Sequence, residues 1–102
     1  MTTGQIEVDQ KELFEFCERN SIRRLSLFGS VLTEQFSESS DVDVLVEFQP
    51  DAHVGYLRMA AMERELSRIF AGRKVDLRTP AELSRYFRDE VLLTAAVQYA
   101  AE

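Results

Sequence analysis

The chain has 102 residues, with twelve basic against eighteen acidic side chains and a formal net charge of −6. A chain of this length buries only about 60–65% of its unfolded surface, so one modest core is expected, and residues 1–102 are read as a single domain. The apolar share of 45% and charged share of 29% exclude a disordered chain, and no apolar run approaches the roughly 18 residues of a membrane span. The acidic balance and the absence of a basic run argue against gripping long nucleic acid, which is driven by releasing counterions from phosphates.

The first ten residues, MTTGQIEVDQ, carry neither a basic nor an apolar stretch, so no secretory signal is expected. With one cysteine, Cys17, and one histidine, His53, an internal disulfide and a Cys- or His-rich metal site are excluded. A cytoplasmic protein fits these features.

The first helix is signalled by Asp9 as N-cap with Glu12 three residues on, and by Val8 and Leu13 as a hydrophobic staple. Leu13, Phe16 and Cys17 share its inner face, and it ends near Asn20. Ile22 to Phe28 reads as a strand, interrupted by Gly29-Ser30 and followed by a short helical turn through Thr33. The polar stretch QFSESSD reads as a loop. Val42 to Phe48 is the clearest strand, with Val42, Val44, Val46 and Phe48 on one face and Asp43, Leu45 and Glu47 on the other.

A long helix is expected from about Val54 or Gly55 to Phe70, with Met59, Met62, Leu66 and Ile69 inward and Gly72 as its stop. Lys74 to Arg78 reads as a third strand. Thr79, Pro80 and Glu82, as N-cap, N1 and N3, open a further helix. Asp89 to about Ala101 reads as a last helix with Leu92, Ala95, Ala96 and Tyr99 inward. Helices alternating with strands predict an α/β layer fold with a small sheet.

The chemistry concentrates in LFGSVLTEQFSESSDVDVLVEF. Gly29 permits a tight turn and close backbone approach to a ligand, and Ser30 at a helical N-terminus suits a phosphate. Asp41 and Asp43, two apart at a strand start, fall on one face with Cα atoms roughly 6–7 Å apart. Alone, such a pair reads as two solvated edge carboxylates; a divalent cation between them would relieve their repulsion. Asp76 sits between Val75 and Leu77, where a carboxylate needs a partner. Arg73 or Arg78 can supply one, or Asp76 can converge on Asp41 and Asp43 if its strand lies beside theirs. Three carboxylates at a sheet rim facing a phosphate-cradling turn make a two-metal site for phosphoryl or nucleotidyl transfer.

Other candidates read as structural. Cys17 belongs to an apolar helix face, His53 to a surface loop or cap, Met59 and Met62 to the core, and Glu47 to the surface. Arg85, Tyr86, Phe87 and Arg88 fit either an amphipathic helix face or a partner surface.

The composite order is distinctive: strand, Gly29-Ser30, ten residues from Val31 to Ser40, Asp41-x-Asp43 on a second strand, and Asp76 on a third. It resembles the DNA polymerase beta-like nucleotidyltransferase superfamily, and in length and flanks its minimal nucleotidyltransferase branch. The resemblance implies a small mixed β-sheet flanked by helices, the polymerase beta-like palm. It implies that Gly29 and Ser30 hold the triphosphate of a nucleotide, that Asp41, Asp43 and Asp76 bind two Mg²⁺ ions, and that Asp76 assists deprotonation of the attacking hydroxyl. It further implies ATP as substrate and a HEPN-domain toxin as partner in a hetero-oligomer. AMP would pass to a hydroxyl of that toxin, a tyrosine in the branch it resembles, which makes the chain an AMPylating antitoxin. One departure stands out: many relatives place an arginine directly after Gly-Ser, where Val31 stands here, followed by Leu32, Thr33 and Glu34. The competing readings are an antitoxin that acts by masking alone, and a transferase acting on a small-molecule hydroxyl.

Overall fold

The computed structural model describes residues 2–3, 6–33 and 40–101. A minimal antiparallel strand pair, β1 (Thr2–Thr3) and β2 (Ile6–Glu7), precedes α1 (Gln10–Arg19). Asp9 caps α1 as its sequence predicts, its carboxylate accepting from the Glu12 N–H at 3.1 Å. Val8 and Leu13 are both buried across that cap, and Phe16 and Cys17 continue the inner face.

Strand β3 (Ile22–Phe28) leads into a one-turn 3-10 segment, Gly29–Leu32. Glu34 and most of the expected polar loop QFSESSD lie outside the described residues. Strand β4 (Val42–Phe48) follows, then α2 (Tyr56–Ile69) and β5 (Val75–Arg78). Met62 and Leu66 are buried on α2, with Met59 and Ile69 packed partly against the core. Past the helix end, Ala71 and Gly72 adopt φ of 60° and 82°, so the chain turns through the left-handed region toward β5.

The last quarter departs from the helical expectation twice. Thr79, Pro80 and Glu82 do form a capped start: Glu82 Oε1 accepts from the Thr79 N–H at 2.9 Å. The result is only a 3-10 turn, Pro80–Glu82, because Leu83 turns extended and buries its side chain instead of continuing the helix. The final helix is likewise short. It ends as α3 (Arg88–Thr94), and Ala96–Ala100 becomes strand β6. Leu92, expected inward, is 42% exposed. Tyr99 is partly buried by packing edge-on against Phe14 of α1, ring centroids 5.3 Å apart, from a strand rather than a helix. The physical reason is the edge of β3: without β6 its outward backbone groups would be unpaired, and that demand overrides the helical propensity of an alanine-rich segment.

The four-stranded sheet is mixed, in the order β5-β4-β3-β6. Strand β3 pairs antiparallel with β4 and with β6, while β4 and β5 run parallel. Leu13, Phe16 and Cys17 of α1 join Met62 and Leu66 of α2, and Phe70 just past it, in one cluster with Val42, Val44, Val46, Leu25 and Leu27. Both long helices therefore cover the same sheet face. On the other face Leu45 and Leu83 are buried outside that cluster, where the Pro80–Glu82 turn meets β4. No helix among the described residues is long and apolar enough to cross a membrane.

Candidate active site

The site forms where β3 ends and β4 begins. Antiparallel pairing sets Phe28 opposite Asp43, and directly opposed residues share a sheet face. Gly29, the next residue, has φ +75°. A Cβ there would collide with Asp43 Oδ2 and stand 3.2 Å from its Cγ. Glycine is thus required twice, for the left-handed backbone and for the space taken by the Asp43 carboxylate. The first N–H groups of such a turn have no partner within it, which suits an anion. Ser30 lies in this turn, its side chain outside the described part of the structure. Val31 is 1% exposed and belongs to the core. The position directly after Ser30 therefore anchors the turn rather than presenting a side chain to a ligand.

The parallel register of β4 and β5 sets Asp43 beside Asp76, with Val42 beside Val75. The convergence of Asp76 on the Asp41/Asp43 pair depends on β5 lying next to β4, and it does. Asp43 is half-buried and its carboxyl is raised above the ordinary range, first by burial, then by the charges of Asp76 and Asp41, with Arg78 opposing them. Asp41 is exposed, its Oδ2 3.9 Å from Lys74 Nζ. Asp76 Oδ2 accepts from Arg78, with Nε at 3.3 Å and Nη2 at 3.2 Å. The arginine partner and the carboxylate convergence, two alternatives in the sequence, occur together. Lys74 is the partner the sequence did not disclose; only the β4–β5 register brings it to Asp41.

Among the described residues, no three Asp, Glu, His or Cys side chains are gathered tightly enough to be a ready-made cation cage. The charges of Asp76 and Asp41 nonetheless reach Asp43, because electrostatic repulsion acts over a longer range than ligation. Exposed ion pairs such as Asp41–Lys74 and Asp76–Arg78 carry little energy, so exchanging them for a divalent cation is inexpensive. An all-oxygen anionic donor set fits Mg²⁺.

The remaining candidates stand apart. Cys17 is fully buried, its thiol pushed up to about 12 by burial with the Glu18 charge adding, so it is an inert core residue. His53 is an exposed loop residue. Glu47 pairs with Arg24 at 3.4 Å across the strands. Arg85 lies over the exposed ring of Tyr86, 5.3 Å from its centroid, in a turn rather than a helix. Arg88 Nη2 is tied to the Leu83 carbonyl at 3.0 Å. A cleft of about 760 Å³ between the start of α2 and β5 holds none of the predicted site residues. A smaller one, about 520 Å³, opens directly at Gly29 against α3. Phe28, Phe87 and Glu90 line it, and the sequence did not single out this cleft because it joins two elements far apart in the chain.

The comparisons with known proteins agree with this geometry. The family model of the nucleotidyltransferase domain matches residues 11–97. MJ0435 of Methanocaldococcus jannaschii, a relative named as a protein adenylyltransferase, is 26% identical over 83 residues, covering 81% of this chain and 86% of its own. A solved structure described as a minimal nucleotidyltransferase superposes with a TM-score of 0.67 at 29% identity, over 84% of this chain and 85% of that one. A toxin–antitoxin crystal structure with AMP-PNP superposes with a TM-score of 0.72 at 15% identity, over 93% of this chain and 76% of that one. With the family match spanning the elements that carry Gly29, Asp43 and Asp76, the chain belongs to the nucleotidyltransferase domain family, has its polymerase beta-like fold, and is by class a nucleotidyltransferase.

Proposed function

We propose that this chain is a Mg²⁺-dependent adenylyltransferase, residues 1–102 acting as one catalytic domain in the cytoplasm, that moves AMP from ATP onto a hydroxyl of a partner toxin. The observation that carries the reading is the placement of the Gly29 turn against Asp43, with Asp76 in register beside it. Gly29 and Ser30 hold the triphosphate through backbone N–H groups, and Asp41, Asp43 and Asp76 supply oxygen ligands. Bound Mg²⁺ would offset the phosphate charge and polarise the α-phosphoryl group.

The chain's own part in the reaction is orientation and proton removal. The acceptor hydroxyl attacks the α-phosphorus in line, its proton passes to an Asp76 carboxylate oxygen, the new O–P bond forms, and the bond to pyrophosphate breaks. The N–H groups of the Gly29–Leu32 turn favour the charge that builds on the leaving phosphates. The similarity to a named protein adenylyltransferase and to a toxin–antitoxin structure holding an ATP analogue supports a protein acceptor. The sequence resemblance supports a tyrosine of a HEPN-domain toxin.

Intact-mass spectrometry of the partner, incubated with this chain, ATP and Mg²⁺, tests the reading. An added adenylyl mass that disappears with Asp41→Asn/Asp43→Asn is the expected result. A stable complex without added mass would overturn transfer. It would favour the masking antitoxin instead, a reading that draws on the buried Val31 standing where many members of the resembled branch place an arginine.

A further inference from the structure

The cleft at Gly29 is walled on one side by Phe28 and Leu32 and on the other by Phe87, which precedes α3, and by Glu90 and Thr94 on one face of that helix. Its volume of about 520 Å³ lies inside the roughly 300–1,000 Å³ range of small-molecule sites. Three large apolar side chains stand partly open there: Phe28 is half-buried, Phe87 is 47% exposed and Leu32 is 39% exposed. Phe28 shares its sheet face with Asp43 and, across β4, with Asp76. The cleft therefore adjoins the carboxylate row through Gly29, which lines it and lies against Asp43.

On the α3 side its polar rim offers acceptors. The Thr94 hydroxyl spends its proton on the Glu90 carbonyl at 2.8 Å, leaving its oxygen to accept. The Glu90 carboxylate is acceptor-only when ionised. A flat ring against the apolar walls, with an amino group toward the rim, matches both halves of this surface. A phosphate does not, since it would meet the Glu90 charge.

From this we infer that the cleft between the Gly29–Leu32 turn and α3 binds the base of the nucleotide, with Phe87 as the stacking wall and Glu90 as acceptor for an exocyclic amino group. The inference rests on the nucleotidyltransferase reading and adds the residues that choose the base. It makes α3 a specificity element: ATP fits, whereas ITP, which carries a carbonyl oxygen in place of that amino group, turns an acceptor toward the Glu90 carboxylate.

Titration calorimetry of the whole chain with ATP, ITP and tripolyphosphate in Mg²⁺ tests this. The intact protein is expected to bind ATP about tenfold tighter than ITP. Phe87→Ala is expected to weaken ATP about tenfold, equivalent to roughly 1.4 kcal/mol and within the range of base–aromatic stacking. Tripolyphosphate binding is expected to be unchanged by it, and Phe87→Trp is expected to restore ATP. Glu90→Ala is expected to bring the ATP/ITP ratio close to one. Equal losses for ATP and tripolyphosphate in Phe87→Ala, or an unaltered ATP affinity, would overturn the base site while leaving the nucleotidyltransferase reading intact. Failure of the intact protein to bind any of the three ligands would overturn the base site together with the ATP-dependent transfer it rests on.

Discussion

The two faces of β4 divide the labour of the molecule within seven residues. Val42, Val44 and Val46 are completely buried under α1 and α2, whereas Asp43 and Glu47 on the alternate positions remain partly open. The strand period of two makes stability and chemistry the business of different residues on one backbone. The valines fix where the strand lies; its neighbour β5, anchored through Val75 and Leu77 in the same cluster, then brings Asp76 level with Asp43. The carboxylate row is held in place by packing on the opposite side of the sheet, and it is electrostatically uncomfortable where it stands.

That division can be broken from either side. The largest effect belongs to Asp43→Asn, which is expected to reduce adenylyl transfer by at least about 10³-fold. The same change is expected to raise the melting temperature at neutral pH by about 1–4 °C, because it removes a partly buried charge facing two others. Parallel activity assays and thermal melts would show the two quantities moving in opposite directions. Val44→Ala reverses the pattern: it is expected to cost about 2–3 kcal/mol in a urea titration, while transfer per folded molecule stays near that of the unaltered protein.

A glycine pair sharpens the contrast further. Gly29 and Gly72 both hold positive φ, but only Gly29 has a neighbour where a Cβ would go. Alanine at Gly72 is expected to cost about 1 kcal/mol of backbone strain. Gly29→Ala is expected to cost at least about 1 kcal/mol more, and to lower transfer through displacement of Asp43.

The smallest effect is in pH. The native Asp43 carboxyl holds its proton more tightly than the unfolded one, so its contribution to stability is fullest below the unfolded titration range and is lost as pH rises through the native value. Melting temperatures of the unaltered protein and Asp43→Asn should therefore approach each other as pH falls through the carboxylate range.

Much of this was legible in the residues. Helix α1 showed itself through its cap and its Leu13–Phe16–Cys17 face, and β4 through alternation. Gly29, Asp41, Asp43 and Asp76 stood out only together, through a composite order that resembles the polymerase beta-like superfamily. What stayed hidden depended on partners. The segment Ala96–Ala100 is helix-forming by composition and becomes a strand only because β3 offers an edge. The helix expected from Thr79 stops after one turn because Leu83 finds a burial site. Lys74 and the Phe28–Phe87 cleft exist only through register and apposition, which no local pattern encodes.

One hydrogen bond at the rim of the sheet has a wider reach. The outward N–H of Leu77 on β5, the strand that carries Asp76, donates to Glu63 Oε2 at 2.8 Å. A carboxylate from α2 thus occupies the place that a visiting strand would need. That edge resists self-templating between copies, and it resists an incoming polypeptide that would try to extend the sheet. Any protein substrate must then come to the aspartates side chain first, from beyond the strand ends, which favours acceptor residues on exposed tips or mobile tails over residues within regular sheet.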